Sequence, residues 1–180
     1  LNSIFKPLKK ICGTKQDRDN AAYSPMVDEI NEVYEQLHDL SNDELRGKTL
    51  EFRERIREHL REIDEEMESL HKEAEETNDF NEKEEIFQEI DKLTEERDEE
   101  LEAILMELLP EAFAVVKETA RRFTENETLK VKALDHDRDL AGNPKKNYLA
   151  IEGEQAVWKN SWTAAGGDIT WNMVHYDVQL

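Results

Sequence analysis

The chain has 180 residues, of which 37% are hydrophobic and 38% charged, and its formal net charge is −20. Soluble domains average about 45–50% apolar and about 25% charged, so this composition excludes one compact ball and calls for an elongated part with a thin apolar seam. A chain this acidic repels nucleic-acid phosphate, which excludes a general nucleic-acid role. Cys12 is the single cysteine, so an intrachain disulfide is excluded and a reducing compartment is expected. No stretch approaches the ~20 apolar residues that span a bilayer. The N-terminus also lacks the continuous apolar core of a secretory signal. The expected location is therefore cytoplasmic, with access to a membrane surface.

Residues 1–20 form a basic, amphipathic start. Leu1, Ile4, Phe5, Leu8 and Ile11 recur at helical spacing, and Lys6, Lys9 and Lys10 fall largely on the other side. Gly13 is a plausible stop, and Pro7 favours a kink or a start near Lys6. Such an element either lies on anionic lipid or packs on the protein's own body.

Residues 21–48 read as a helical scaffold. Pro25 is expected to open a helix in which Met26, Val27, Ile30, Val33, Tyr34, Leu37 and Leu40 repeat with a period near 3.6. Ser41-Asn42-Asp43-Glu44 is a capping box that starts another helix. Over residues 49–109, Phe52, Ile56, Leu60, Ile63, Met67, Leu70 and Ala74 build a seam of heptad type from Ile56 onward. Thr77-Asn78-Asp79 breaks the run, and Asn81 with Glu84 gives a second capping signal. Ile86, Ile90, Leu93, Leu101, Ile104, Leu105 and Leu108 form a return seam, interrupted at Arg97. These features predict a long antiparallel coiled-coil hairpin, with a first arm of about 43 Å at 1.5 Å per residue. It would serve as a solvated spacer or as a docking arm.

Pro110 is expected to interrupt the second arm and to open a buried helix over residues 110–124, since proline is tolerated at a first turn. Residues 125–170 change texture. Leu129, Val131 and Ala133 alternate with polar neighbours, Gly142-Asn143-Pro144 marks a turn, and two further strands are predicted at Tyr148–Ile151 and Ala156–Lys159. A small antiparallel meander of three strands follows, with Trp158, Trp162 and Trp171 as packing residues. The fold class is thus mainly α with a small antiparallel sheet.

Chemistry-bearing patterns are sparse. Asp135-His136-Asp137-Arg138-Asp139 opens like a calcium loop, but Leu140 and Lys146 stand where such a loop needs Gly and a bidentate Glu. None of His38, His59, His71, His136 and His175 pairs with another His or with Cys12 at a zinc spacing. No nucleophile elbow, phosphate loop or zinc-protease motif is present. The chain alone offers no recognisable catalytic centre, so it is either an interaction module or a segment whose chemistry lies elsewhere.

Four blocks carry a resemblance, and together they cover roughly half of the chain. They are Leu1-Asn2-Ser3-Ile4-Phe5-Lys6 with Gly13-Thr14-Lys15 and Asp17-Arg18; Leu40 to Thr49 with Glu51-Phe52-Arg53-Glu54-Arg55; Leu109 to Glu118 with Arg121-Arg122; and Met173-Val174-His175-Tyr176-Asp177-Val178-Gln179-Leu180. In this order they resemble the N-terminal part of the SecA family, ATP-driven motors that move preproteins through a SecY-type channel. The resemblance implies a segment of a RecA-like, helicase-type motor that stops before its phosphate loop. Such a segment would be inactive in hydrolysis by itself and would hold Mg-dependent ATP only weakly. It implies that residues 171–180 are an adenine-recognition motif: Gln179 would hydrogen-bond the base edge, and Met173 and Tyr176 would pack against the ring. It implies contact of Lys6, Lys9, Lys10 and Lys15 with anionic phospholipid and the channel, at the inner face of the bacterial plasma membrane. A homodimer is compatible with it. Residues 49–109 and 125–170 depart from the family's usual chain as two insertions. The rival expectation is a coiled-coil interaction module without ATPase function.

Overall fold

A computed structural model describes the backbone of residues 15–180 and the side chains from residue 21 onward. The basic start, including Lys6, Lys9, Lys10, Pro7 and Gly13, lies outside the described residues. The elements in chain order are α1 (Lys15–Gln36), a 3-10 turn (Leu37–Asp39), α2 (Asn42–Glu76), α3 (Phe80–Glu125), β1 (Thr128–Lys132), α4 (Asp135–Ala141), β2 (Leu149–Glu152), β3 (Gln155–Lys159), β4 (Ser161–Ala164), β5 (Gly167–Thr170) and a final 3-10 turn (Asp177–Gln179). Two compact units result: Glu44–Leu109, and the remainder of the chain on either side of it. Among the described residues, no helix is long and apolar enough to cross a membrane.

Within Glu44–Leu109, α2 and the first part of α3 are joined by Thr77-Asn78-Asp79. Cross-helix pairs fall in antiparallel order: Arg55 Nη2 donates to Glu107 Oε1 at 2.8 Å, His59 Nε2 meets Glu100 Oε2 at 2.8 Å, and Arg97 Nε donates to Asp64 Oδ1 at 2.5 Å. Arg97 interrupts the apolar return seam, and this ion pair accounts for it. Leu60, Ala74, Ile86, Ile90, Leu93, Ile104 and Leu108 are buried. Ala74, Ile86 and Ile90 cluster near the turn, with Met67 and Leu70 against them. Leu105, read as seam, is instead 47% exposed. The cap of α3 also lies two residues earlier than the Asn81 signal indicates. Asp79 Oδ1 accepts from the backbone N–H groups of Asn81 and Glu82, at 2.8 and 3.2 Å, so Asp79 caps and Asn81 is already helical.

Neither proline starts a helix. Pro25 lies inside α1 and Pro110 inside α3. A helical proline orphans the carbonyl four residues earlier. Those residues are Ala21 and Met106, both exposed, so water can take up each freed carbonyl. Leu108 and Ala114 are buried on either side of Pro110, which favours one continuous helix over a break.

The three-stranded sheet has the order β1-β3-β2, all antiparallel. It is therefore not a meander, because β3 lies in the middle. The reason is connection length. β2 and β3 are joined by Gly153-Glu154, with Gly153 at φ 64°, as a two-residue hairpin requires. Between β1 and β2, however, the chain inserts α4, and β1 takes the remaining edge of β3. The acidic stretch at 135–139 is thus helix, not loop, and Asp137 Oδ2 accepts from the Leu134 N–H at 2.9 Å. Val131, Leu149 and Ala156 form the sheet's buried centre, and Tyr148 stacks on Trp158 at 6.1 Å. The strands β4 and β5 form a second hairpin that the sequence reading missed. Its loop residues Ala165 and Gly166 have φ of 51° and 82°, the pattern of a type I′ turn.

Candidate functional site

The C-terminal segment is held on α3 by its backbone. The Met173 carbonyl accepts from Trp171 Nε1 at 2.8 Å and from Thr124 Oγ1 at 3.0 Å. Trp171 Nε1 also lies 3.2 Å from the Ala120 carbonyl. The 3-10 turn that follows is tied back by Asp177, whose Oδ1 accepts from Asn31 Nδ2 at 3.2 Å and lies 3.6 Å from Lys117 Nζ. Lys117 Nζ donates to Asn31 Oδ1 at 2.7 Å and sits 4.9 Å from the Tyr34 ring centroid. At the turn itself, the Tyr176 N–H donates to Gln179 Oε1 at 2.9 Å, and the Gln179 N–H donates to the Tyr176 carbonyl at 2.7 Å.

Gln179 reaches a small cavity of about 240 Å³ with Ala112, Phe113, Val116, His175 and Leu180. Its wall is the apolar face of α3. His175 Nδ1 is buried without a hydrogen-bond partner among the described residues. Of the residues expected at an adenine site, only Gln179 lines this cavity. Tyr176 is 75% exposed and Met173 37% exposed, and neither is among its walls. Lys15 opens α1; Lys6, Lys9 and Lys10 lie outside the described residues.

A separate polar network is centred on Glu118, which is fully buried. Arg121 grips both of its oxygens, Nε to Oε2 at 2.8 Å and Nη2 to Oε1 at 2.7 Å. Arg122 Nε donates to Glu118 Oε1 at 2.6 Å. The Arg122 fork continues to Asn42 Oδ1 at 2.8 Å and to the carbonyls of Leu37 and Leu40 at 3.1 and 2.7 Å. One side chain thereby ties α3 to the 3-10 turn that follows α1 and to the start of α2. His38 Nε2 lies 3.4 Å from Glu118 Oε2, close but without hydrogen-bond geometry. Burial alone would push the Glu118 carboxyl up; hydrogen bonds from Arg121 and Arg122, with their charges, outweigh it and hold the group below its ordinary 4.5.

That direction fixes the sign of a pH effect. A carboxyl depressed by folding contributes stability that is complete above its unfolded value and is lost as pH falls through the folded value. Urea unfolding followed from pH about 6 down to about 3 should therefore show a steeper loss for the natural chain than for Glu118→Gln, which has no carboxyl to protonate there. Parallel curves would remove Glu118 as the cause.

The sequence reading missed Asn31, Lys117, Asp177 and His175 as a set. Glu118 with Arg121 and Arg122 did carry a local signal, the i,i+3 and i,i+4 spacing of helical ion pairs.

Residues 8–180 match the SecA DEAD-like domain family. This chain belongs to the SecA family. It corresponds to the N-terminal region of that family, and the proteins it resembles are each named protein translocase subunit SecA. It is 46% identical over 180 residues to that of Christiangramia forsetii, covering 100% of this chain and 16% of the relative. It is 47% identical over 171 residues to that of Phocaeicola vulgatus, covering 95% of this chain and 15% of the relative. With that of Porphyromonas gingivalis it shares 45% over 173 residues, 96% of this chain and 15% of the relative. The chain thus spans about one sixth of these SecA relatives' length. The Christiangramia match covers the whole chain, including residues 49–109 and 125–170, which were expected to be insertions. No solved structure matches the chain.

Proposed function

We propose that this chain is the N-terminal part of an ATP-driven preprotein translocase, and that it supplies the adenine-side contacts of the motor's nucleotide site. The identity to translocase subunits along the whole chain carries this reading. The base end of ATP suits the residues present. Gln179 stands at the cavity rim with an amide that offers two donors and a carbonyl with a second lone pair. His175 lines the same cavity. The exposed Tyr176 ring and the Met173 thioether suit packing on a planar base. ATP itself, with Mg, supplies the phosphoanhydride whose hydrolysis drives the motor. The groups that grip its phosphates belong to other parts of the parent protein, so this segment alone neither binds nucleotide tightly nor hydrolyses it.

In the same reading, Lys6, Lys9, Lys10 and Lys15 meet anionic phospholipid and a SecY-type channel at the inner face of the plasma membrane, where the protein is peripheral. The two helices over residues 49–109 work as an antiparallel coiled-coil arm.

Calorimetry tests the nucleotide half. The chain extended through the following domain is expected to bind ATP. Gln179→Ala should weaken that binding roughly tenfold to a hundredfold, the cost of leaving a buried partner unpaired. An extended chain that binds no nucleotide would defeat the reading and leave the helical arm as the working part.

A further inference from the structure

We infer that Lys117, through Asn31 and Asp177, is a positioning residue for adenine recognition: it sets the placement of the turn that carries Tyr176 and Gln179. This inference rests on the adenine reading. Lys117 is only 9% exposed although it is a lysine, and lysine is almost never buried unless paired. Its ammonium meets Asn31 Oδ1 at 2.7 Å, Asp177 Oδ1 at 3.6 Å and the Tyr34 ring at 4.9 Å. Asn31 closes the triangle by donating to the same Asp177 oxygen. The anchored group is the first residue of the 3-10 turn, and Gln179 is its last.

The direction of dependence follows from burial. Lys117 sits on α3 and Asn31 on α1, each fixed by its own helix. Asp177 is 69% exposed at its side chain and belongs to a three-residue turn that has few other ties. Without the ammonium, the Asp177 carboxylate keeps the hydrogen bond from Asn31 but loses the cation 3.6 Å away that attracts its charge. The turn would then sample other placements, and the Gln179 amide would meet the base edge only part of the time. In the adenine reading the phosphates are gripped by other parts of the parent protein, so the loss should fall on the base alone.

The parent protein, with Lys117→Met, should bind ADP about tenfold more weakly, equivalent to about 1.4 kcal/mol, and its preference for ADP over GDP should shrink. Its affinity for tripolyphosphate, which has no base, should stay unchanged. In ATP hydrolysis KM should rise while kcat holds, and Lys117→Arg should recover most of the affinity. Asp177→Asn, at the exposed end of the contact, should act in the same direction and serves where Lys117→Met fails to fold. If Gln179→Ala weakens ADP binding while Lys117→Met and Asp177→Asn leave ADP and GDP unchanged, the positioning role is wrong and the adenine reading stands. If Gln179→Ala also changes nothing, the adenine reading fails and this inference falls with it. Equal losses for ADP and tripolyphosphate would show a structural role only and overturn the inference.

Discussion

Replacing Arg122 by alanine is expected to lower the stability of the chain by about 3–5 kcal/mol, the range for breaking a buried ion pair from one side. Four groups lose a donor at once: Glu118, Asn42 and the carbonyls of Leu37 and Leu40. Glu118 is fully buried and would keep only Arg121, while two backbone oxygens would be left without this partner. Lysine at 122 should recover little, because one ammonium cannot reproduce a planar fork aimed at three elements. Replacing both partners, Glu118→Leu with Arg122→Met, should cost much less than the two single changes added together. Urea titration read through Trp171 fluorescence checks this, since that indole contacts the Ala120 carbonyl on the same helix. A loss under about 1 kcal/mol for Arg122→Ala would put the network among weak surface pairs.

Leu60→Ala should act on the other unit. Leu60 is 2% exposed in a two-helix arm with a thin apolar seam. Removing a buried leucine costs about 2–5 kcal/mol, and more where the surroundings cannot collapse. A narrow seam has few neighbours to move inward. Hydrogen exchange should therefore accelerate across Glu44–Leu109, while amides of Ile30, Ala120 and Val131 keep their protection. Uniform acceleration through the whole chain would show that the two units open together.

What the sequence made legible was periodic. The seam from Leu60 to Ala74, the turn at Thr77–Asp79 and the strands around Val131, Leu149 and Val157 all depend on spacing within short windows, whereas the four SecA-like blocks rested on resemblance. What escaped it was non-local or permissive. Pro25 and Pro110 are strong local breakers, yet both helices continue through them, and the residues whose carbonyls they orphan, Ala21 and Met106, are exposed. The order β1-β3-β2 depends on which edge of β3 is left open after the tight hairpin at Gly153, which no window contains. The triangle of Asn31, Lys117 and Asp177 joins residues far apart in the chain, and nothing near any one of them announces the other two. Gln179 was placed by resemblance alone, and its neighbours Ala112, Phe113 and His175 became visible only once α3 was in place.

The compact unit that holds Gln179 is discontinuous in sequence: it comprises residues up to Asp43 and again from Pro110. Arg122 reaches across that gap to Asn42. If the intervening residues were random coil, bringing the two ends together would cost roughly 4 kcal/mol beyond a constant, from the logarithm of loop length. Helices that pair with their immediate successor form quickly, because their contacts are local. The acidic excursion thus acts as a self-closing bracket: it folds on its own short-range contacts and delivers Pro110 and all that follows to the residues before Glu44. Lengthening the turn at Thr77–Asp79 with glycines should accordingly slow the folding of the other unit, although no residue of that unit has been changed.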